Sequence, residues 1–376
     1  MSIEKHYSLF SFLMITYNQE KYIEEAINSA LAQDIDDLGL VICDDCSTDR
    51  TFEIARRVVS EYKGPFRIVL HRNISNLGIS GNFYQAFSLA SGEWLFMAAG
   101  DDVSLPNRCR VIADALLSYP DALAFSTNYQ IIDGKGQCHG FFSPDYPMAP
   151  GAILCWHRSL FTKFPPLGKH SSPEDMPLLT RVFFLGGTLV KLPACTMQYR
   201  VDGHSFTGEG RNSPIGVKQY QIKVTQALKE GVLQRLEDLD YSCSHGKVVP
   251  CGERLRKYLN QMVVSMERDI ISYQLSLRIL TTGLWERLCY LFAANDLIYH
   301  RTFRQRFRLF LSSFSFLRFV KHCFIPCRTQ LESMQAQLVQ KLPENLQPVV
   351  VTTDFFFEHP ICDFYQSYVP QEGSLA

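Results

Sequence analysis

From Phe10 to about Ser126 the chain alternates short apolar runs with segments of helical period, and few architectures satisfy that pattern. The runs Phe10 to Thr16, Leu38 to Cys43, Phe66 to Leu70, Trp94 to Met97 and Ala122 to Ser126 are each short and apolar and read as strands. Between them, Tyr22, Ile23, Ala26, Ile27, Ala30 and Leu31 recur at helical spacing, as do Ile54, Ala55, Val58 and Val59. Phe83, Ala86, Phe87 and Ala90 mark a third helix, and a fourth starts at Pro106 and runs through Val111, Ile112, Ala115 and Leu116. The expected fold class is therefore α/β, a mostly parallel mixed sheet flanked by helices, followed by a helical C-terminal extension.

With 376 residues, 46% of them hydrophobic, the chain is long enough for one full core and a second unit. The stretch Asp133 to Pro150 has glycines and prolines without period and reads as a long recognition loop. A strand near Thr188 to Leu192 and the segment Tyr199 to His204 follow, and the chain loosens at Gly208 to Gly216. The expected division is residues 1–210 as the catalytic unit and 217–376 as a helical region.

Twelve scattered cysteines have neither metal-ribbon spacing nor disulfide-scaffold density, which suits a reducing, cytoplasmic setting. A net charge of -1 supplies no global field for nucleic acid, so an anionic partner must meet a local patch. The apolar stretch Leu9 to Tyr17 reads as a strand rather than a signal peptide, and charges such as Arg278, Glu286, Arg287 and Arg318 interrupt the later apolar runs before they reach membrane-spanning length.

In open parallel sheets ligands sit beyond the carboxyl ends of the strands. Three polar clusters fall there: Thr16-Tyr17-Asn18, Asp44 through Asp49, and Gly100-Asp101-Asp102. Glu24-Glu25 and Glu237-Asp238 lie inside helical patterns and read as solvated faces. Carboxylates gathered at strand ends repel one another unless a cation sits among them, which points to a hard divalent ion, Mg2+ or Mn2+, and to a diphosphate that completes its coordination.

The runs Phe12 to Asn18, Ala26 to Gln33 and Val41 to Thr51, then Asn76-Leu77-Gly78, Ala90 to Glu93 and Asp101 to Pro106, together resemble the family 2 glycosyltransferases over roughly residues 9 to 207. That resemblance implies a GT-A-type fold and transfer of a sugar from a nucleotide-diphosphate donor to an acceptor hydroxyl, with inversion and a divalent metal. It implies donor contacts at Thr16, Tyr17, Asn18, Asp44, Asp45, Asn76 and Arg200, metal contacts at Asp101, Asp102 and His204, and a base at Asp175 with Glu174 beside it. Ser47 and Asp49 suit helix capping equally well. The family's Asp-x-Asp falls on Ala99-Gly100-Asp101, so its first acid is absent here.

Two other readings compete. One is a sugar-nucleotide-binding module without activity, which Ala99 motivates. The other is a dinucleotide-dependent oxidoreductase, against which stands the lack of a Gly-x-Gly-x-x-Gly after any candidate strand. Arg301, Arg304, Arg306, Arg308, Arg318, Lys321 and Arg328 meet no acidic residue between Asp296 and Glu332, and Phe303, Phe307, Phe310, Phe314 and Leu317 form an apolar stripe. Such a segment can pack its stripe on the catalytic unit with the arginines solvated, or lie on an anionic membrane surface, where a lipid-linked saccharide acceptor would be reached.

Overall fold

The computed structural model describes residues 9–142, 151–167, 175–201, 214–246, 249, 252–281 and 347–352. The N-terminal part runs β1 (Phe10–Thr16), α1 (Ile23–Leu31), β2 (Gly39–Asp44), α2 (Thr51–Glu61), β3 (Arg67–Arg72), α3 (Gly78–Leu89), β4 (Trp94–Ala99), β5 (Val103–Ser104), α4 (Arg108–Ser118) and β6 (Ala122–Ile132). It continues through β7 (Cys138–Phe142), β8 (Leu154–His157), α5 (Ser159–Thr162), α6 (Asp175–Phe184) and β9 (Thr188–Arg200). Two long helices, α7 (Pro214–Ser244) and α8 (Gly252–Thr281), precede the short β10 (Val349–Val351).

Along the sheet the order is β10-β9-β6-β8-β4-β1-β2-β3. Strands β1, β2, β3 and β4 pair in parallel, and so do β6 and β9; β8 is antiparallel to both β4 and β6. Because β8 reverses twice, β6 and β9 point the same way as β4. The carboxyl ends of β1, β2, β4, β6 and β9 therefore share one edge, which gathers the sequence clusters.

Alternation along the strands explains the two-sided burial. Phe12, Met14, Leu40, Ile42 and Phe96 face α1, α2 and α4, whereas Leu13, Val41, Cys43, Leu95 and Met97 face α3, α5 and α6. Burial of a Leu or Phe is worth about 1.5–3 kcal/mol, so these facing layers fix the register of the central strands. A third cluster joins α7 and α8 to Phe164 and Phe184.

Three sequence expectations change. Asp133 to Pro150 is not all loop: a turn at residues 133–137 leads into β7, which pairs with β6 and sets Phe142 5.3 Å from Tyr129. Residues 188–200 form one long strand, held to β6 through bulges. The region beyond residue 217 is not helical throughout, since Val349–Val351 pairs with Leu189–Lys191 as a strand at the sheet edge. Among the described residues no helix is long and apolar enough to cross a membrane. The basic aromatic segment from Arg301 to Arg328 lies outside them.

Candidate active site

At the end of β1 the backbone turns sharply, with Asn18 at φ 53° and its N–H donating to Ser47 Oγ at 2.9 Å. Asn18 Oδ1 accepts the N–H of Thr48 at 2.8 Å, so the ends of β1 and β2 are stitched together by their own polar side chains. Thr16 donates its hydroxyl to Gln19 Oε1 at 2.7 Å. Tyr17 stands half exposed at the mouth of this edge, as a ring available for stacking.

The two adjacent acids after β2 diverge. Asp44 is fully buried, accepts the N–H of Ser47 at 3.0 Å and pairs with Arg72 at 3.3 Å, while its other oxygen has no hydrogen-bond partner among the described residues. Asp45 is also buried and accepts three N–H groups: Asn73 Nδ2 and the Leu77 backbone at 2.8 Å, and the Gly78 backbone at 2.9 Å. It thereby supplies negative charge at the start of α3, where the first backbone N–H groups lack helical partners. Asn76 Oδ1 reinforces the turn by accepting the same Gly78 N–H at 3.0 Å, and Gly78 occupies φ 74°, a conformation that favours glycine. Ser47 and Asp49 belong to the scaffold as well, Asp49 accepting the Thr51 N–H at 2.9 Å at the start of α2.

After β4 the chain bends through Gly100 to the acidic pair. A Cβ at Gly100 would stand 2.5 Å from Gln19 Oε1 and 2.6 Å from Thr16 Oγ1, so only glycine permits this approach of the β4 turn to the end of β1. Asp101 is half-buried. Asp102 is buried and its Oδ1 accepts the backbone N–H of Arg200 at 2.8 Å. Burial, then the neighbouring Asp101 charge, pushes the Asp102 carboxyl well above the usual carboxylate range, against the pull of the Arg200 N–H and of the Arg108 and Arg200 guanidinium groups.

Arg200, at the last position of β9, is the hub of this edge. Its Nε donates to the Asp101 carbonyl at 2.8 Å, one terminal nitrogen to the Asp133 carbonyl at 2.9 Å and the other to Glu25 Oε2 at 2.6 Å, with the Tyr22 ring 4.5 Å away. These bonds use all three guanidinium nitrogens on the protein itself. Glu25 is thus no mere solvated face: it is half of an ion pair that spans α1 and β9. Its spacing on α1 placed it on the polar side, and only the topology brings Arg200 there.

Asp175 opens α6, whose Leu178, Leu179, Val182 and Phe183 pack on the sheet. Glu174 and His204 lie outside the described residues. Asn73 and Asn82, which passed unnoticed in the sequence, form a buried amide relay, Asn73 Nδ2 donating to Asn82 Oδ1 at 2.9 Å and Asn82 Nδ2 to the Cys43 carbonyl at 3.0 Å. Cys43 and Cys46 are free thiols, and burial pushes the Cys43 thiol up to about 12, which leaves it unreactive. Among the described residues no three His, Cys, Asp or Glu side chains form a ready-made metal cage.

Acids and amides gathered at the carboxyl edge of a mostly parallel sheet stand where α/β proteins of this kind bind their ligands. Residues 11–163 match the family model described as glycosyl transferase family 2. The chain is 27% identical over 209 residues to EpsE of Bacillus subtilis, named as a glycosyltransferase, spanning 52% of this chain and 74% of that one. It is 35% identical over 115 residues to the abequosyltransferase RfbV of Salmonella typhimurium, spanning 30% of this chain and 34% of that one. Among solved structures, a mannosyltransferase from Pyrobaculum calidifontis in complex with GDP-Man and Mn2+ aligns with a TM-score of 0.49 at 15% identity, over 85% of this chain and 88% of that one.

Proposed function

We propose that this enzyme transfers a sugar from a nucleotide diphosphate to an acceptor hydroxyl by an inverting, metal-assisted displacement, in the assembly of a cell-surface polysaccharide or glycolipid. The observation that supports it most is the convergence of Tyr17, the Asp45-held turn, and Asp101 on one sheet edge, with Arg200 bracing the acidic turn from behind. In this reading Thr16, Tyr17, Asn18 and the turn Asn73 to Gly78 form the floor for base and ribose. Asp44 and Asp45 act by shaping that floor, and Asn76 by closing its turn.

The residues present fit a divalent ion of the Mg2+ or Mn2+ type held by few protein ligands. Asp101 stands on a rigid turn as the more accessible of the two acids, and such ions commonly keep open positions for phosphate oxygens. When bound, the ion would offset charge developing on the departing diphosphate. Asp102 supports Asp101 from within, and His204 is a candidate further ligand. Asp175 takes the proton from the acceptor hydroxyl, with Glu174 beside it. In this reading residues 1–210 carry the chemistry, and residues 217–376 serve acceptor or membrane binding at the cytoplasmic face.

Ala99 supports a second reading, a nucleotide-sugar-binding module without turnover. Both are tested by screening the full chain against a panel of nucleotide sugars by thermal shift, then measuring release of nucleoside diphosphate with Mn2+ present. Binding with release that is lost in Asp175→Asn supports the transferase. Binding without release in any acceptor mixture supports the module, and binding of none removes both.

A further inference from the structure

Asp238 and Arg181 form an ion pair with both side chains fully buried. Arg181 Nε donates to Asp238 Oδ2 at 2.7 Å and one terminal nitrogen to Oδ1 at 2.9 Å, a two-point match of guanidinium to carboxylate. Arg181 belongs to α6, the helix that Asp175 opens, and Asp238 to α7 of the C-terminal hairpin. A buried pair of this kind is weak evidence for stability by itself, because desolvation offsets the attraction. What distinguishes this one is the remainder of the guanidinium.

Its other bonds go to the chain that precedes α6. Arg181 donates to the carbonyls of Leu160 at 3.1 Å and Pro165 at 2.8 Å, and lies 4.9 Å from the centre of the Phe164 ring. The same segment is also held by Tyr84 of α3, whose hydroxyl oxygen accepts the Leu167 N–H at 2.7 Å. Gln234 Nε2 donates to Asp238 Oδ1 at 3.2 Å and holds the carboxylate in place. One ion pair therefore ties together α5, the residues leading toward Glu174 and Asp175, α6 itself and the C-terminal hairpin.

We infer that Arg181 and Asp238 are positioning residues, a clamp by which the α7–α8 hairpin sets the placement of the helix bearing Asp175. This rests on the assignment of Asp175 as base, but the clamp itself can be tested without that assignment. The C-terminal hairpin then becomes part of the catalytic apparatus rather than an appended module. A pair acting only through cohesion would tolerate replacement by apolar side chains of similar size, whereas a positioning pair would not.

The experiment compares the full-length wild type with the double variant R181M/D238L by hydrogen exchange and by turnover. The clamp predicts a variant that still melts cooperatively, with amides of residues 160–184 exchanging at least about tenfold faster while those of β1 to β4 stay unchanged. On whichever of UDP-GlcNAc and GDP-mannose the wild type hydrolyses or transfers with Mn2+, kcat should fall about tenfold with donor KM unchanged. Unaltered exchange over residues 160–184 in a folded variant overturns the clamp. If the double variant fails to fold, Asp238→Asn, which keeps the shape and removes the charge, is read in the same way; failure of both to fold reduces the pair to a stability element and likewise overturns it. Should the wild type release nucleoside diphosphate from neither donor, the transferase reading loses support while the exchange result still decides the clamp.

Discussion

Asp102 and Arg200 hold each other by opposite ends: the Asp102 carboxylate accepts the Arg200 backbone N–H at 2.8 Å, while the Arg200 side chain reaches back to the Asp101 carbonyl at 2.8 Å. The acidic turn after β4 is thus pinned to the end of β9, residues that stand 98 positions apart in the chain. The same guanidinium is bonded to Asp133 and Glu25, so each of its three nitrogens already donates to a protein acceptor.

Arg200→Lys should therefore act on the acidic turn, the proposed metal site, rather than on the donor phosphate. A lysine keeps the charge but cannot reproduce a planar fork on three acceptors. The expected result is an increase of about tenfold in the Mn2+ concentration needed for half-maximal turnover, with nucleotide affinity in the absence of metal unchanged. Loss of metal-free nucleotide affinity in calorimetry would instead return Arg200 to direct phosphate contact.

Asp101→Asn should abolish Mn2+-dependent turnover while leaving the melting temperature close to that of wild type. The amide keeps the shape and loses the charge that holds a hard cation. Near-normal turnover in the variant, together with a wild type indifferent to chelator, would remove the metal from this site.

For Asp45→Ala the expected loss is in nucleotide binding. Its removal strips the acceptor from Asn73 Nδ2 and from the N–H groups of Leu77 and Gly78, at about 1–3 kcal/mol for each donor that water cannot reach. UDP and GDP affinities measured by calorimetry should fall at least about tenfold, which is 1.4 kcal/mol. Unchanged affinity for both would place the base pocket elsewhere.

The turn at Asp133 gives a pH prediction. Backbone N–H groups of Gln137 and Lys135 and the His139 ring hold its carboxyl down at about 2, with the Gln137 bond the largest cause. The folded value lies below the ordinary 3.8. The stabilisation is therefore present above the ordinary value and is lost as pH falls through about 2. Carboxyl carbon shifts followed by NMR should place the Asp133 midpoint in that low range, and Gln137→Pro, which removes the donor, should raise it. A midpoint at the ordinary value would show that the turn is open in solution.

Much of the fold was legible because its cause is local. Strands β1 to β4 and the helices between them follow from apolar runs and 3.6-residue periods that fall almost where the elements form. Strands β5, β7, β8 and β10 were not legible. They are two to five residues long and owe their existence to the hydrogen bonds of the neighbour they join, which no local pattern records.

The acidic clusters show the same boundary. That Asp44, Asp45, Asp101 and Asp102 would meet at one edge follows from their places after strands of a parallel sheet, and the order of the chain determines it. Spacing along a helix could not show that Glu25 would face Arg200, or that Asp238 would be buried against Arg181 while Glu237 one residue earlier stays in water. Both pairs join side chains far apart in sequence, and a carboxylate on a helix looks the same in the sequence whether it meets solvent or a guanidinium. Local periodicity determined which faces are apolar and which strand ends are polar; the stacking of elements decided which charges are paired, because pairing depends on distances that exist only once the chain has closed on itself.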